Sequence, residues 1–68
     1  PNPINNHMFV DFSNDSYKTI VMYDILGNKV FSKQVFSGES INTSNINKGV
    51  YIIKIEGLSD FSKVIHKN

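Results

Sequence analysis

Few side chains in this chain have types suited to catalysis or metal binding, and their spacing does not bring them together. The two histidines, His7 and His66, lie near opposite ends of the chain. Asp11 follows His7 by four residues, but residues at that spacing on a strand share a face only at long range. Because a metal site needs several converging ligands, we interpret both histidines as solvated side chains. We predict neither a metal site nor a cofactor.

The nucleophiles and acids are dispersed as well. There is no cysteine, and none of the eight serines follows the strand–turn–helix elbow of a serine hydrolase. The six acids are spread singly along the chain: Asp11, Asp15, Asp24, Glu39, Glu56 and Asp60. A domain of 68 residues has little volume for a cleft between paired carboxylates. We expect a protein that is not an enzyme, and we assign no catalytic residue.

The charge balance argues against a nucleic-acid partner. The formal net charge is +1, and all seven basic residues are lysines, which do not offer the bidentate contacts of arginine. No apolar run approaches the ~18 residues of a membrane span, and no leader of the signal-peptide type is present. We expect no direct membrane span. Because the chain begins at Pro1, we expect residues 1–68 to be one domain cut from a longer protein.

The composition favours strands over helices. The chain has nine isoleucines, six valines and two threonines, but no alanine and only two leucines. Side chains branched at Cβ suit a pleated surface better than a helix. Glycines at positions 27, 38, 49 and 57 divide the chain into short apolar runs. Turn signals at this spacing predict an all-β sandwich or barrel, and we count six or seven short strands.

The stretch from Gly49 to Gly57 predicts the strand around which the others are arranged. It is nearly continuous in apolar residues and is too short for a typical helix. One face carries Tyr51, Ile53 and Ile55, and the other carries Val50, Ile52, Lys54 and Glu56. We therefore expect a strand in the middle of a sheet, buried on the first face and half-covered on the second.

Shorter alternating runs predict the remaining strands. We place them at residues 8–12 with Met8, Val10 and Phe12 inward, 18–24 with Ile20 and Met22 inward, 29–36 with Val30 inward, 40–43 with Ile41 inward, and 61–67. Gly27 and Asn28 form the tip of a hairpin turn, since both residues tolerate positive φ. We expect Ile46 to anchor its polar loop to the core, and residues 58–60 to form the tip before the last strand.

The aromatic residues leave two interpretations open. Phe9, Tyr17, Tyr23, Phe31, Phe36 and Phe61 could form a platform on which sugars or bases stack. Core packing and cross-strand pairing explain the same residues more simply.

Four phrases taken together resemble a known family. They are Pro1-Asn2-Pro3, the run from Tyr23 through Gly27 to Val30, the run from Ile46 through Gly49-Val50-Tyr51 to Ile55, and the closing run from Lys63 to Lys67. In this order and spacing they resemble the type A C-terminal sorting domain of the type IX secretion system, also called the Por secretion system sorting domain. The resemblance extends over essentially the whole chain.

The resemblance implies a fold and a function. The fold would be a small Ig-like β-sandwich without enzymatic activity. The function would be a C-terminal secretion signal that directs a folded N-terminal cargo from the periplasm across the outer membrane of a Gram-negative cell. The implied partners are the type IX secretion machinery and a sortase-like endopeptidase, which usually removes the domain upstream of Pro1. The cargo would then be at the cell surface or secreted.

By position, the resemblance assigns three motifs to this chain. Pro1, Asn2 and Pro3 match the motif at the entrance, Gly49, Val50 and Tyr51 match the central motif, and Lys63, Val64, Ile65 and Lys67 match the terminal motif. We hypothesise that the machinery reads the terminal motif, because sheet edges and chain termini are ready recognition surfaces. The central motif and Gly27 would hold the fold. The competing function is an Ig- or fibronectin-like spacer, or a carbohydrate-binding module, of a bacterial surface protein.

Overall fold

The computed structural model describes residues 3–4, 6–11 and 17–68, and for residues 3–4 and 58–61 it describes the backbone alone. The described residues form seven strands. These are β1 (Pro3–Ile4), β2 (His7–Phe9), β3 (Lys18–Asp24), β4 (Lys29–Val35), β5 (Ser40–Asn42), β6 (Gly49–Ile55) and β7 (Leu58–Lys67). The predicted all-β fold of six or seven short strands is confirmed. In the described part of the chain, no helix has the length and apolar character that a membrane span needs.

The strands form two sheets that face each other. The larger sheet has the order β1-β7-β6-β3-β4, and the smaller consists of β2 and β5. The pairs are antiparallel except for β1 and β7, which run in the same direction. β6 lies in the middle of the larger sheet, as its nearly continuous apolar sequence predicted. We call the face of the larger sheet toward β2 and β5 the inner face, and the opposite one the outer face.

The core fills the space between the two sheets. Its buried members are Met8, Val10, Ile20, Met22, Val35, Ile41, Tyr51, Ile53, Ile55 and Ile65, and Phe31 and Ile46 pack against them. The alternation on β3 and β6 and the anchoring role of Ile46 are confirmed. Phe12, also predicted to point inward, lies outside the described residues. Val21 is buried and Tyr23 is half-buried on the outer face, so β3 is partly covered on both faces.

One inward assignment was wrong, and a bulge explains the error. Val30 is 38% exposed, whereas Val35 is fully buried. The register between β3 and β4 shifts next to Met22, which lies opposite Phe31. Since opposite residues of an antiparallel pair share a face, Phe31 and Val35 point inward and Val30 does not. Strict alternation counted from the turn cannot locate such a shift.

The tip before the last strand is shorter than predicted. Residues 58–60 belong to β7, and only Glu56 and Gly57 connect it to β6. Ile55 pairs with Leu58, while the preceding Lys54 pairs with Ser62. The three residues 59–61 therefore form a bulge. Ser59 and Asp60 favoured a turn in the sequence, although they lie within a strand.

Candidate functional site

The four residues of the terminal motif are divided between the two faces of β7. Ile65 is buried in the core, and Lys63 and Lys67 lie on the same inner face because side chains alternate along a strand. Lys67 is only 8% exposed, and its Nζ donates a hydrogen bond to the Asn68 carbonyl oxygen at 3.2 Å. Val64, on the outer face, is 45% exposed, and Lys63 is also exposed. Two members of the motif are thus accessible and two are enclosed.

The entrance and terminal motifs meet at one edge of the larger sheet. Pro3 pairs with His66 and Ile4 pairs with Lys67 in a parallel register. Pro1 and Asn2 lie outside the described residues. Proline lacks a backbone donor and is tolerated on edge strands, which agrees with the position of β1. The start of the domain is thereby attached to the end of its last strand.

The central motif supports the fold through a contact between its first and third residues. Gly49 has φ of +155°, a value that side-chain-bearing residues rarely adopt, and a Cβ there would lie 3.6 Å from the Tyr51 ring. The Tyr51 hydroxyl donates a hydrogen bond to the Asn47 carbonyl oxygen at 2.7 Å. The buried ring therefore closes the loop before β6 onto the core. Val50, between them, points to the outer face.

Gly27 lies in a turn that is organised by one carboxylate. Oδ1 of Asp24 accepts hydrogen bonds from the backbone N–H groups of Leu26 at 3.0 Å and Asn28 at 2.9 Å. Oδ2 accepts a third from the Asn28 side-chain amide at 3.3 Å. The pKa of Asp24 is lowered, mainly because the backbone N–H of Asn28 donates to the ionised form. Gly27 has φ of +89°, which the tight turn requires.

The same turn exposes two large apolar side chains that the search for reactive residues did not single out. Ile25 is 70% exposed and Leu26 is 83% exposed. The sequence did contain a signal for this exposure. Ile25 and Leu26 stand between Asp24 and Gly27, and both Asp and Gly favour turns, where side chains are exposed. Turn residues are ordinarily polar, so this pair is not explained by the local structure.

The remaining groups with chemical potential do not converge. Among the described residues, no three His, Asp or Glu side chains are placed to hold a metal ion. A hollow of about 290 Å³ opens between the two sheets, where His7, Phe9 and Lys63 surround a floor of core residues. The rings of Tyr17 and Phe36 meet edge to face, with centroids 5.2 Å apart and planes at 70°. This pair does not offer one flat surface.

Comparison with known protein families gives a match over nearly the whole chain. The family described as the secretion system C-terminal sorting domain, a signal of the type IX secretion system, matches residues 1–67. The chain belongs to this family. Membership indicates a C-terminal sorting signal that is attached to a cargo protein, interacts with the type IX system and is exported to the surface or secreted. No curated protein and no solved structure gave a match.

Within the sorting domain, four of the motif residues serve the architecture. Gly27 and Gly49 supply positive φ, Tyr51 closes a loop, and Ile65 fills the core. The surface that remains for contact with other proteins must come from exposed positions. Val64 is the terminal-motif residue on the outer face, over which none of the described strands lies.

Proposed function

We propose that this domain is a removable export signal. Cargo joined ahead of Pro1 crosses from the periplasm through the outer membrane by the type IX machinery. A sortase-like endopeptidase then cleaves upstream of Pro1, so that the cargo is released or remains at the cell surface. The observation that carries the proposal is the family match over residues 1–67. The domain acts by being recognised and not by catalysis.

The position of β1 supports cleavage outside the domain. The backbone of Pro3 and Ile4 is already paired with β7. A protease that binds its substrate as an extended strand needs free backbone groups, and the pairing of β1 disfavours cleavage within that strand. We therefore place the cleavable linker upstream of Pro1, so that the domain is removed as an intact unit.

We further propose that the four terminal-motif residues have two separate tasks. Lys63 and Val64 are exposed and make contacts with the machinery, while Ile65 and Lys67 are enclosed and maintain the strand. Deleting residues 63–68 would remove a core side chain together with any contact surface, so single substitutions test recognition more sharply. Lys63→Glu should reduce export. Lys48→Glu makes the same charge change in an exposed loop and should not.

A fusion assay tests the function directly. A signal peptide and a fluorescent reporter are placed ahead of Pro1, and the fusion is expressed in strains with and without an intact type IX system. We expect reporter at the surface or in the medium only in the intact strain, shortened by roughly the 7.7 kDa of this domain. Reporter that stays in the periplasm of both strains, also when the parent protein's upstream residues are included, would contradict the proposal.

The competing function, a spacer or carbohydrate-binding module, has less support. Phe9 and Tyr17 are exposed, as a glycan-binding surface would need. Sugars stack on flat aromatic faces, however, and the edge-to-face arrangement of Tyr17 and Phe36 lacks such a face. Glycan-array binding that is lost on Tyr17→Ala would favour this function over export.

A further inference from the structure

The outer face of the larger sheet carries an apolar surface that continues onto the β3–β4 turn. Tyr23, Ile52 and Val64 lie directly opposite one another across β3, β6 and β7. Val50 is on the same face of β6 and is also exposed. In the described part of the chain, the smaller sheet covers the inner face and no strand covers the outer one. We call the following set the outer patch: Tyr23, Ile25, Leu26, Val50, Ile52 and Val64.

The outer patch contains a hollow between the turn and the sheet. The hollow measures about 330 Å³ and is lined by Tyr23, Asp24, Ile25, Gly27, Ile52 and Lys54. The turn is held in place by three hydrogen bonds to the Asp24 carboxylate. Ile25 and Leu26 are therefore presented from a fixed backbone, and little conformational entropy is lost when a partner covers them. A single apolar side chain of a partner would fit between Ile25 and Ile52.

The charge around the outer patch selects the kind of partner. The Lys54 ammonium lies 6.0 Å from the centroid of the Tyr23 ring, at the rim of the hollow. Lys29 pairs with Tyr23 at the neighbouring edge. Asp24, the one carboxylate that lines the hollow, stays ionised and is tied into the turn by hydrogen bonds on both oxygens. Two lysines, Lys54 and Lys29, therefore face one carboxylate, and the excess of positive charge would be complemented by acidic groups on a partner.

We propose that the outer patch is the surface by which the secretion machinery holds this domain, through a partner segment that places an apolar side chain beside acidic residues. This inference rests on the export function proposed above and adds the location and chemistry of the contact. A contiguous group of exposed apolar side chains that is surrounded by charged residues is typical of protein–protein interfaces. The patch includes Val64 of the terminal motif, whereas Lys63 lies on the inner face and would make its own contact with the machinery outside the patch.

The test compares substitutions inside the outer patch with matched ones outside it, all in the reporter fusion. Leu26→Ser removes an exposed apolar side chain from the patch, and Phe9→Ser does the same on β2, where Phe9 is 66% exposed. Lys54→Glu reverses a charge at the rim, and Lys33→Glu reverses one at an exposed position on the inner face of β4, opposite Ile20. We expect Leu26→Ser and Lys54→Glu to lower export on the order of tenfold, as for anchor residues of an interface. The two controls should be exported like the unsubstituted fusion. Lys54→Arg, which keeps the positive charge, should also be exported normally, in contrast to Lys54→Glu.

Thermal unfolding of each purified variant separates a loss of recognition from a loss of folding. Because the substituted side chains are exposed, the unfolding midpoint temperature should stay nearly unchanged. If the unsubstituted fusion is not exported, the export function itself fails. If it is exported and the patch variants are exported equally well, this inference alone is wrong. A second copy of the chain could cover the outer patch instead, and sedimentation of the isolated domain tests for such a dimer. A dimer that Leu26→Ser dissociates without loss of export would also overturn the inference.

Discussion

Asp24 and Asn28 bind each other across the β3–β4 turn through three hydrogen bonds. The backbone N–H of Asp24 donates to the Asn28 carbonyl oxygen at 2.9 Å. The backbone and side-chain N–H groups of Asn28 donate to the two carboxylate oxygens of Asp24 in return, at 2.9 Å and 3.3 Å. The turn is thus fixed by its first and fifth residues, and its conformation does not depend on packing by Ile25 or Leu26.

The stability contributed by this turn should depend on pH. The folded state lowers the pKa of Asp24, so the ionised carboxylate stabilises the fold above its ordinary pKa. That stabilisation is lost as the pH falls through the lowered pKa. We expect Asp24→Ala to be less stable than the unsubstituted domain at about pH 7, and the difference to shrink toward about pH 3. Urea unfolding at several pH values measures it, and a difference that does not change with pH would contradict the assignment.

The hydroxyl of Tyr51 should contribute to stability, although the ring makes most of the contact between this side chain and the core. Tyr51→Phe removes the donor to the Asn47 carbonyl and should cost about 1 kcal/mol of unfolding free energy, the usual net value of such a bond. Tyr23→Phe is the matched control, because it removes the same hydroxyl from a half-buried tyrosine on the outer face. Equal effects of the two substitutions on urea unfolding would show that the bond to Asn47 contributes nothing specific.

The backbone conformation of Gly49 should make any side chain costly there. With φ of +155°, Gly49→Ala should destabilise by roughly 1–3 kcal/mol, as expected for a strained backbone. A Cβ would meet the Tyr51 ring at an ordinary contact distance of 3.6 Å, so the cost arises from the backbone and not from a clash. Val50→Ala tests a neighbouring position without this constraint. A Gly49→Ala domain as stable as Val50→Ala would contradict the argument.

The bulge between β3 and β4 predicts opposite results for two valines of one strand. Val35→Ala removes fully buried methyl groups and should cost about 2 kcal/mol. Val30→Ala removes the same atoms from a 38% exposed position and should cost less than about 1 kcal/mol. Both substitutions lose similar strand propensity, so the difference reports burial alone. If Val30→Ala cost more unfolding free energy than Val35→Ala, the result would support the uninterrupted register that alternation predicted.

Local signals in the sequence were sufficient for the elements they describe. The apolar run between Gly49 and Gly57 identified β6 and its central position, because a strand buried on one face and half-covered on the other needs neighbours on both sides. Gly27 and Asn28 marked the turn of the hairpin between β3 and β4, although only Gly27 has positive φ there. The Ile20 and Met22 alternation likewise required no knowledge of the partner strands.

Features that depend on pairing between distant segments were not predictable in this way. The register shift beside Met22 arises from how β4 meets β3, and nothing in the composition of β4 encodes it. The parallel pairing of Pro3 with His66 joins opposite ends of the chain through only two residues. The outer patch could not be recognised either, since Tyr23, Ile52 and Val64 become neighbours only when three strands are aligned.

The dependence of the sheet on β7 has a consequence for protein synthesis. β7 is the last strand of this domain to be translated, yet it pairs along β6, supplies Ile65 to the core and holds β1. A chain that terminates before β7 keeps the β3–β4 hairpin but leaves the central strand unpaired on one side. A folded signal therefore forms only when the message has been read through β7. Export that requires the folded domain would act as a check on completeness, and prematurely terminated cargo would stay behind.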